Sequence, residues 1–350
     1  MSRKSRRAPN KIRFAPSKDF QQMAFMRKFI FTAIALALAA IGAFAWWAQA
    51  PITTAGAAIE FSIAPRSTAS AVGQQIATAG VPMQALLFNL LARVTGVSSK
   101  LKAGPYQLKP GTSPRGLLEQ LVRGDFAQES LTIIEGWTFR QMRQALAAQA
   151  GLKHDTAGLT DRALMAKISP EFKEPEGLFF PDTYLYAKGS SELQIYKQAH
   201  TMLIAHLSAA WEKRDPALPY STPYEALIMA SIVEKETGQK SERGMIAGVF
   251  VNRLKIGMLL QTDPTVIYGM GDKYEGKIRK RDLEADTPYN TYTRVGLPPT
   301  PISLPGVQSL MAALAPARTQ ALYFVSRGDG TSQFSGNLQE HNRAVNQYQR

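Results

Sequence analysis

The sequence predicts an α+β protein carried on one membrane-spanning helix. Three observations point there. Residues 29–48 form a run of 20 without a charge, directly behind a strongly basic stretch. Residues 59–124 alternate short β-type segments with apolar helical patterns. From residue 125 onward, longer helical patterns and short strands are joined by loops rich in Asn, Gln, Thr and Tyr. A chain of 350 residues has room for two or three domains, and a hydrophobic content of 45% is enough for real cores.

The basic stretch comes first. The formal net charge is +14, but residues 1–28 hold nine cationic side chains, Arg3 to Lys28, against Asp19 alone. That leaves +6 for all that follows. A basic tail can bind nucleic acid. Here it abuts residues 29–48, which at 1.5 Å per residue span about 30 Å, the thickness of a bilayer's hydrocarbon core. Trp46 and Trp47 close the run where interfacial aromatics belong. Lysine and arginine on the N-terminal side make that side cytoplasmic, so the tail sets topology and no nucleic-acid partner is expected. Ala48-Gln49-Ala50 mimics a signal-peptide cleavage site, but the length of the run and Pro51 directly after it favour an uncleaved anchor. Residues 49–58 are a short tether of small residues.

Residues 59–124 read as a β-α-α-β-α unit: a strand at 59–63, helices at 67–79 and 82–94, a strand at 106–108, and a helix at 113–122. In the last, Ser113 caps ahead of Pro114. Nothing in this unit looks catalytic. The larger region, 125–350, opens with a strand at 131–134 and an amphipathic helix at 139–150 capped by Thr138. Residues 151–175 look irregular. The aromatic segment 176–184 reads equally as a packing corner or as a surface for stacking sugar rings. Helices are expected at 190–214, at 227–237 after Ser221-Thr222-Pro223, and at 243–254. Asp263-Pro264 reads as a turn. A helix at 307–314, strands at 321–325 and 332–334 about a Gly328-Asp329-Gly330 turn, and a helix at 338–348 close the chain.

The helix at 227–237 is the stretch around which this region is organised. Met229, Ile232, Val233 and Glu236 follow i, i+3, i+4, i+7 spacing and share one face. A carboxyl that continues an apolar stripe loses hydration; its pKa rises, which suits it to hold and deliver a proton near neutral pH. Glu234 lies roughly 200° round the helix from it. With no cysteine there is no disulfide, thiolate ligand or cysteine nucleophile. His154, His200, His206 and His341 are scattered, so no metal site and no cofactor are expected. Gln261, Tyr289, Asn290 and Tyr292 offer the amide, hydroxyl and aromatic groups that a carbohydrate site uses, and Asp263 among them is a carboxylate that reads either as a second acid or as a cap of its turn.

Six ordered segments, 176–184, 230–237, 249–253, 260–270, 289–293 and 296–305, together resemble the YceG-like, or MltG, family of endolytic murein transglycosylases. The resemblance covers nearly the whole chain after the anchor. It implies a single-pass inner-membrane enzyme with its catalytic region, 125–350, in the periplasm behind a LysM-like domain at 59–124. Its substrate would be nascent peptidoglycan. The bond from N-acetylmuramic acid to N-acetylglucosamine would be cut without water to leave 1,6-anhydro ends and to terminate glycan elongation, and peptidoglycan synthases would be its partners. The family's catalytic acid maps to the second glutamate of Glu234-Lys235-Glu236, in agreement with the face argument. Gln261, Asp263, Tyr289, Asn290 and Tyr292 would position substrate. The basic extension before the anchor is longer than is usual in the family. A hydrolytic glycosidase generally needs two carboxylates; a substrate hydroxyl attacking its own ring carbon needs one. The alternatives are a non-catalytic membrane-anchored scaffold that binds peptidoglycan and a hydrolytic muramidase.

Overall fold

The computed structural model describes residues 18–54 and 56–349. Most of the basic tail, residues 1–17, lies outside the described residues. The stretch expected to be an anchor lies in helix α1 (Lys18–Gln49), whose part Met26–Gln49, 24 residues or about 36 Å, is long and apolar enough to cross a membrane. Phe29, Ile34 and Leu38 are exposed along it, while Phe44, Trp47 and Ala48 at its C-terminal end join a core. The chain divides into two compact units, Met1–Ala127 and Gln128–Arg350.

In the first unit α1 is followed by β1 (Ile59–Ile63), α2 (Ala69–Thr78), α3 (Ala85–Val94), β2 (Gly104–Leu108) and α4 (Pro114–Arg123), the β-α-α-β-α order read from the sequence. The strands pair antiparallel, Ile59 opposite Leu108 and Ile63 opposite Gly104. Phe61, Ile76, Phe88, Tyr106, Leu108 and Leu121 fill the core beneath them. Ser113 Oγ accepts from Gly116 N (3.1 Å) and Pro114 opens α4, as the cap pattern predicts. Helix α3 starts three residues later than expected, because Met83 N turns back to Val81 O (2.7 Å) before the helix can begin.

The second unit runs β3 (Gln128–Thr132), α5 (Phe139–Ala147), β4 (Leu152–Lys153), α6 (Asp161–Ile168), β5 (Thr183–Ala187), β6 (Ser190–Ser191), α7 (Glu192–Glu212) and α8 (Pro223–Glu236). Then come α9 (Arg243–Lys255), α10 (Asp263–Met270), α11 (Lys280–Glu284), α12 (Val307–Leu314), β7 (Tyr323–Ser326), β8 (Ser332–Ser335) and α13 (Leu338–Tyr348). Its sheets are small: β3 with β5 and β7 with β8 are antiparallel, and β4 with β6 is parallel. Three expectations are corrected. Residues 151–175 contain α6, whose Thr160 cap and short Leu164–Met165 apolar face span barely two turns. Asp263-Pro264 opens a helix, proline sitting in its first turn where no N–H is needed. The strand read at 131–134 lies at 128–132.

Helix α8 is the axis of this unit, with α7, α9, α10 and α12 all packed against it. Every residue from Ala226 to Val233 is buried, so the helix is enclosed on all sides and does not present one apolar stripe. Thr222 caps it, accepting from Glu225 N (3.2 Å), and Pro223 follows. The aromatic segment before β5 is a packing corner: Leu178, Phe179, Phe180 and Tyr184 are buried, and Phe179 stacks on Phe139 at 5.3 Å. Its rings are not free for sugar.

Candidate active site

Glu236 is the last residue of α8, where the enclosed helix runs out toward solvent. Its residue is half-buried. Thr262 Oγ1 donates to its Oε2 at 2.6 Å. Desolvation raises the pKa of this carboxyl; the Thr262 bond offsets part of the rise, the charge of Asp263 adds to it, and that of Arg253 opposes it. The elevated pKa inferred from the sequence is therefore present, for a different reason. Neighbouring segments that close over the helix end withdraw the water.

Two of those segments are locked by a buried threonine cluster. Gln261 N donates to Thr291 O (3.0 Å), Thr262 N to Thr291 Oγ1 (3.1 Å), and Thr265 Oγ1 lies 2.9 Å from Thr291 Oγ1. Thr262, Thr265 and Thr291 are all buried. Gln261 takes φ +49°, a left-handed conformation uncommon for a residue with a Cβ, and its side chain is exposed. Arg253, buried in α9, donates from Nη1 to Leu260 O (2.6 Å) and from Nε to Leu322 O (2.7 Å). It thus holds the backbone just before Gln261.

The five residues assigned to substrate positioning divide. Asp263 and Tyr292 join the Glu236 end: Tyr292 OH donates to Asp263 Oδ1 at 2.6 Å, and burial with the charges of Asp263 and Glu236 raises the Tyr292 pKa. Gln261 flanks them. Asn290 is 1% exposed; its Nδ2 donates to Leu283 O (2.9 Å) and Ala285 O (2.7 Å), and its Oδ1 accepts from Tyr292 N (2.8 Å). It shapes the loop that carries Tyr292. Tyr289 points elsewhere, its ring against Tyr268 and its OH 2.9 Å from Thr300 Oγ1. Sequence reasoning passed over Thr262 and Arg253. Thr262 lies between two residues that were singled out, and nothing in the local pattern distinguishes it.

Glu234 is occupied otherwise. Its Oε1 accepts from Arg243 Nη2 (2.7 Å) and its Oε2 from Gly306 N (2.9 Å), with both charged side chains under a tenth exposed. Among the described residues no three His, Asp or Glu side chains gather as metal ligands. A separate open pocket of about 520 Å³, lined by Tyr224, Glu225, Leu254 and Leu297 among others, lies at the opposite end of α8.

The second unit is thus an α+β unit built round an enclosed helix that ends in a desolvated glutamate, with Gln-Thr-Asp and Tyr-Asn-Thr-Tyr segments folded over it, and its sequence matches the model of the YceG-like family. That family matches residues 61–347, and the chain belongs to it. An endolytic murein transglycosylase of Bacillus subtilis (strain 168) is 31% identical over 312 residues, covering 83% of this chain and 84% of that protein. One of Streptococcus pneumoniae (strain ATCC BAA-255 / R6) is 31% identical over 321 residues, 80% of this chain but 56% of the longer pneumococcal protein. The crystal structure of a YceG-like protein of Listeria monocytogenes superposes with a TM-score of 0.51 at 30% identity, over 83% of this chain and 99% of that one.

Proposed function

We propose that this chain is an endolytic murein transglycosylase that cleaves peptidoglycan glycan strands, with Glu236 as its single catalytic acid and base. The observation that carries the reading is the state of that carboxyl: desolvated, held by one hydroxyl donor, and placed where two polar segments converge at an open helix end. Endolytic murein transglycosylases among its relatives support the reaction class.

Protonated Glu236 donates its proton to the glycosidic oxygen as the bond to C1 of N-acetylmuramic acid breaks. The ionised carboxylate, stabilised by Thr262 Oγ1 and the nearby Arg253 charge, then takes the proton of the C6 hydroxyl while that oxygen bonds C1. The product is a 1,6-anhydro ring, and Glu236 ends protonated as it began. A hydrolase would need a second free carboxylate. Glu234 is bound to Arg243 and Asp263 accepts from Tyr292, which supports the one-acid route. Gln261, Asp263 and Tyr292 position the substrate directly, and Tyr289 and Asn290 act by holding the loop.

Residues 59–124 are a LysM-like domain. Helix α1 sits in the inner membrane with the basic N terminus cytoplasmic and the residues after it periplasmic, where the enzyme meets nascent strands, ends their elongation and works beside peptidoglycan synthases. The positive-inside asymmetry supports that orientation. The test is digestion of purified glycan strands followed by mass spectrometry. The wild type releases 1,6-anhydro ends, and Glu236→Gln releases none while its melting temperature does not fall. Reducing ends would assign a hydrolase instead, and undiminished release by the variant would remove Glu236 from the reaction.

A further inference from the structure

We propose that Glu176 is a positioning residue for this reaction: its buried carboxyl ties α10, and through it Thr262 and Gln261, to the N-terminus of α5. The proposal rests on the reading of Glu236 as the catalytic acid. Glu176 is 6% exposed, deep in the second unit, and the mechanism above makes no use of it. A carboxyl so placed is costly unless its oxygens are matched. Here they are matched by donors from two elements: Phe139 N, in the first turn of α5, donates to Oε1 at 3.0 Å, and Tyr268 OH, in the last turn of α10, donates to Oε2 at 3.1 Å.

The consequence for the site follows from α10 itself. It is eight residues long, so its two ends move together. Thr262, the donor to Glu236, directly precedes its first turn; Tyr268 is its anchor near the end. The Tyr268 ring meets Tyr289 edge-on at 4.9 Å, and Tyr289 reaches Thr300 at 2.9 Å, so the second loop over Glu236 shares the same fastening. Gly177 fixes the carboxyl's own backbone. It stands at φ +77°, and a Cβ there would come within 2.3 Å of Pro301.

The groups facing Glu176 are nearly all donors or acids. From α5 and the 176–177 turn come Phe139 N and Gly177 N, from α10 the Tyr268 hydroxyl, from α6 the charge of Asp161. Tyr289 and Tyr224 lie near enough to feel its charge, together with that of Glu174. No basic side chain is among them. Desolvation accordingly lifts the Glu176 pKa to about 7, the hydrogen bonds from Phe139, Tyr268 and Gly177 acting against the rise. The ionised form accepts from all of these donors at once. The protonated form carries a hydrogen whose available acceptor is the Tyr268 oxygen, so Tyr268 must turn its own proton away and the grip on α10 changes.

The experiment is the pH dependence of kcat for anhydro-end release by the full-length protein in detergent, for wild type, Glu176→Gln, Tyr268→Phe and Glu236→Gln. The wild-type profile carries an acidic limb, on which activity rises with pH through about 7 as Glu176 ionises, and a basic limb, on which it falls as Glu236 deprotonates. Glu176→Gln has no acidic limb and a kcat lowered about tenfold. Tyr268→Phe, having lost a bond that favours the ionised carboxyl, shifts the acidic limb upward by about one pH unit. A wild-type acidic limb retained in Glu176→Gln, or left in place in Tyr268→Phe, overturns the proposal. If Glu176→Gln does not fold, Tyr268→Phe decides alone. Activity remaining in Glu236→Gln would instead remove the acid assigned above, and the comparison of acidic limbs would still be readable.

Discussion

The two glutamates that flank Lys235 stand two residues apart and do opposite work. Glu234 is fully used by Arg243 and Gly306 N and closes the end of α8 onto α9 and the 300–306 segment. Glu236 has one hydroxyl donor and an open side. Neutralising the first removes the close countercharge of a buried guanidinium, at about 3 kcal/mol; Glu135 stands farther off, 3.9 Å from Arg243 Nη2, and Arg243 Nε and Nη1 have no hydrogen-bond partner. Glu234→Gln therefore lowers the thermal midpoint markedly, whereas Glu236→Gln leaves it unchanged or raised, and differential scanning calorimetry of the two variants separates them. Thr262→Val tests the other side of the same site. The Thr262 bond lowers the Glu236 pKa, so its loss moves the basic limb of the kcat profile to higher pH, by up to about one unit. An unmoved limb would show that the hydroxyl does not act on the catalytic proton.

Elements tell where residue patterns suffice and where they do not. The starts of α4 and α5 were legible because Ser113-Pro114 and Thr138 satisfy helix-end donors within three residues of chain, whereas α8 begins at Pro223, four residues before the apolar run at 227 that marked it. Helix α10 was not, since Asp-Pro signals a turn as readily as a first helical turn. What selects the helix is Thr291, distant in sequence, accepting from Thr262 N. The desolvation of Glu236 was legible from its place beyond an apolar run, although the run proved enclosed all round. The distinction between Tyr292, which meets Asp263, and Tyr289, which meets Thr300, depends on a loop fold dictated by Asn290, and no spacing rule contains it. Gly177 is a sharp test of this level of organisation. Gly177→Ala adds a methyl at positive φ and against Pro301, straining the turn that carries Glu176. It should destabilise the protein by about 2 kcal/mol or more, read as a lower denaturation midpoint, and shift the acidic limb of kcat.

For the whole molecule, the buried acids set a pH dependence of stability opposite to that of ordinary paired carboxylates. The Glu176 pKa rises from 4.5 unfolded to about 7 folded, so between those values the native state holds a proton that the unfolded chain has released. Stability from this group is complete below about 4.5, falls as pH rises, and is lost above about 7, a change of about 3 kcal/mol. Glu236, raised in the same direction, adds to the fall. Asp286 works the other way: Arg294 and Thr293 hold its pKa down to about 2, so its contribution is present above 3.8 and disappears only in strong acid. Because Asp286 is exposed, solvent screens it and the acids inside dominate. The full-length protein should therefore melt higher at pH 5 than at pH 8, by about 6–10 °C for a unit of this size. Glu176→Gln should flatten most of that slope and melt above wild type at pH 8 while turning over more slowly. Stability surrendered at neutral pH to keep an ionisable group beside α10 is what a positioning role demands. A wild-type melting temperature that climbs from pH 5 to pH 8 would mean that Glu176 is not desolvated as the fold requires.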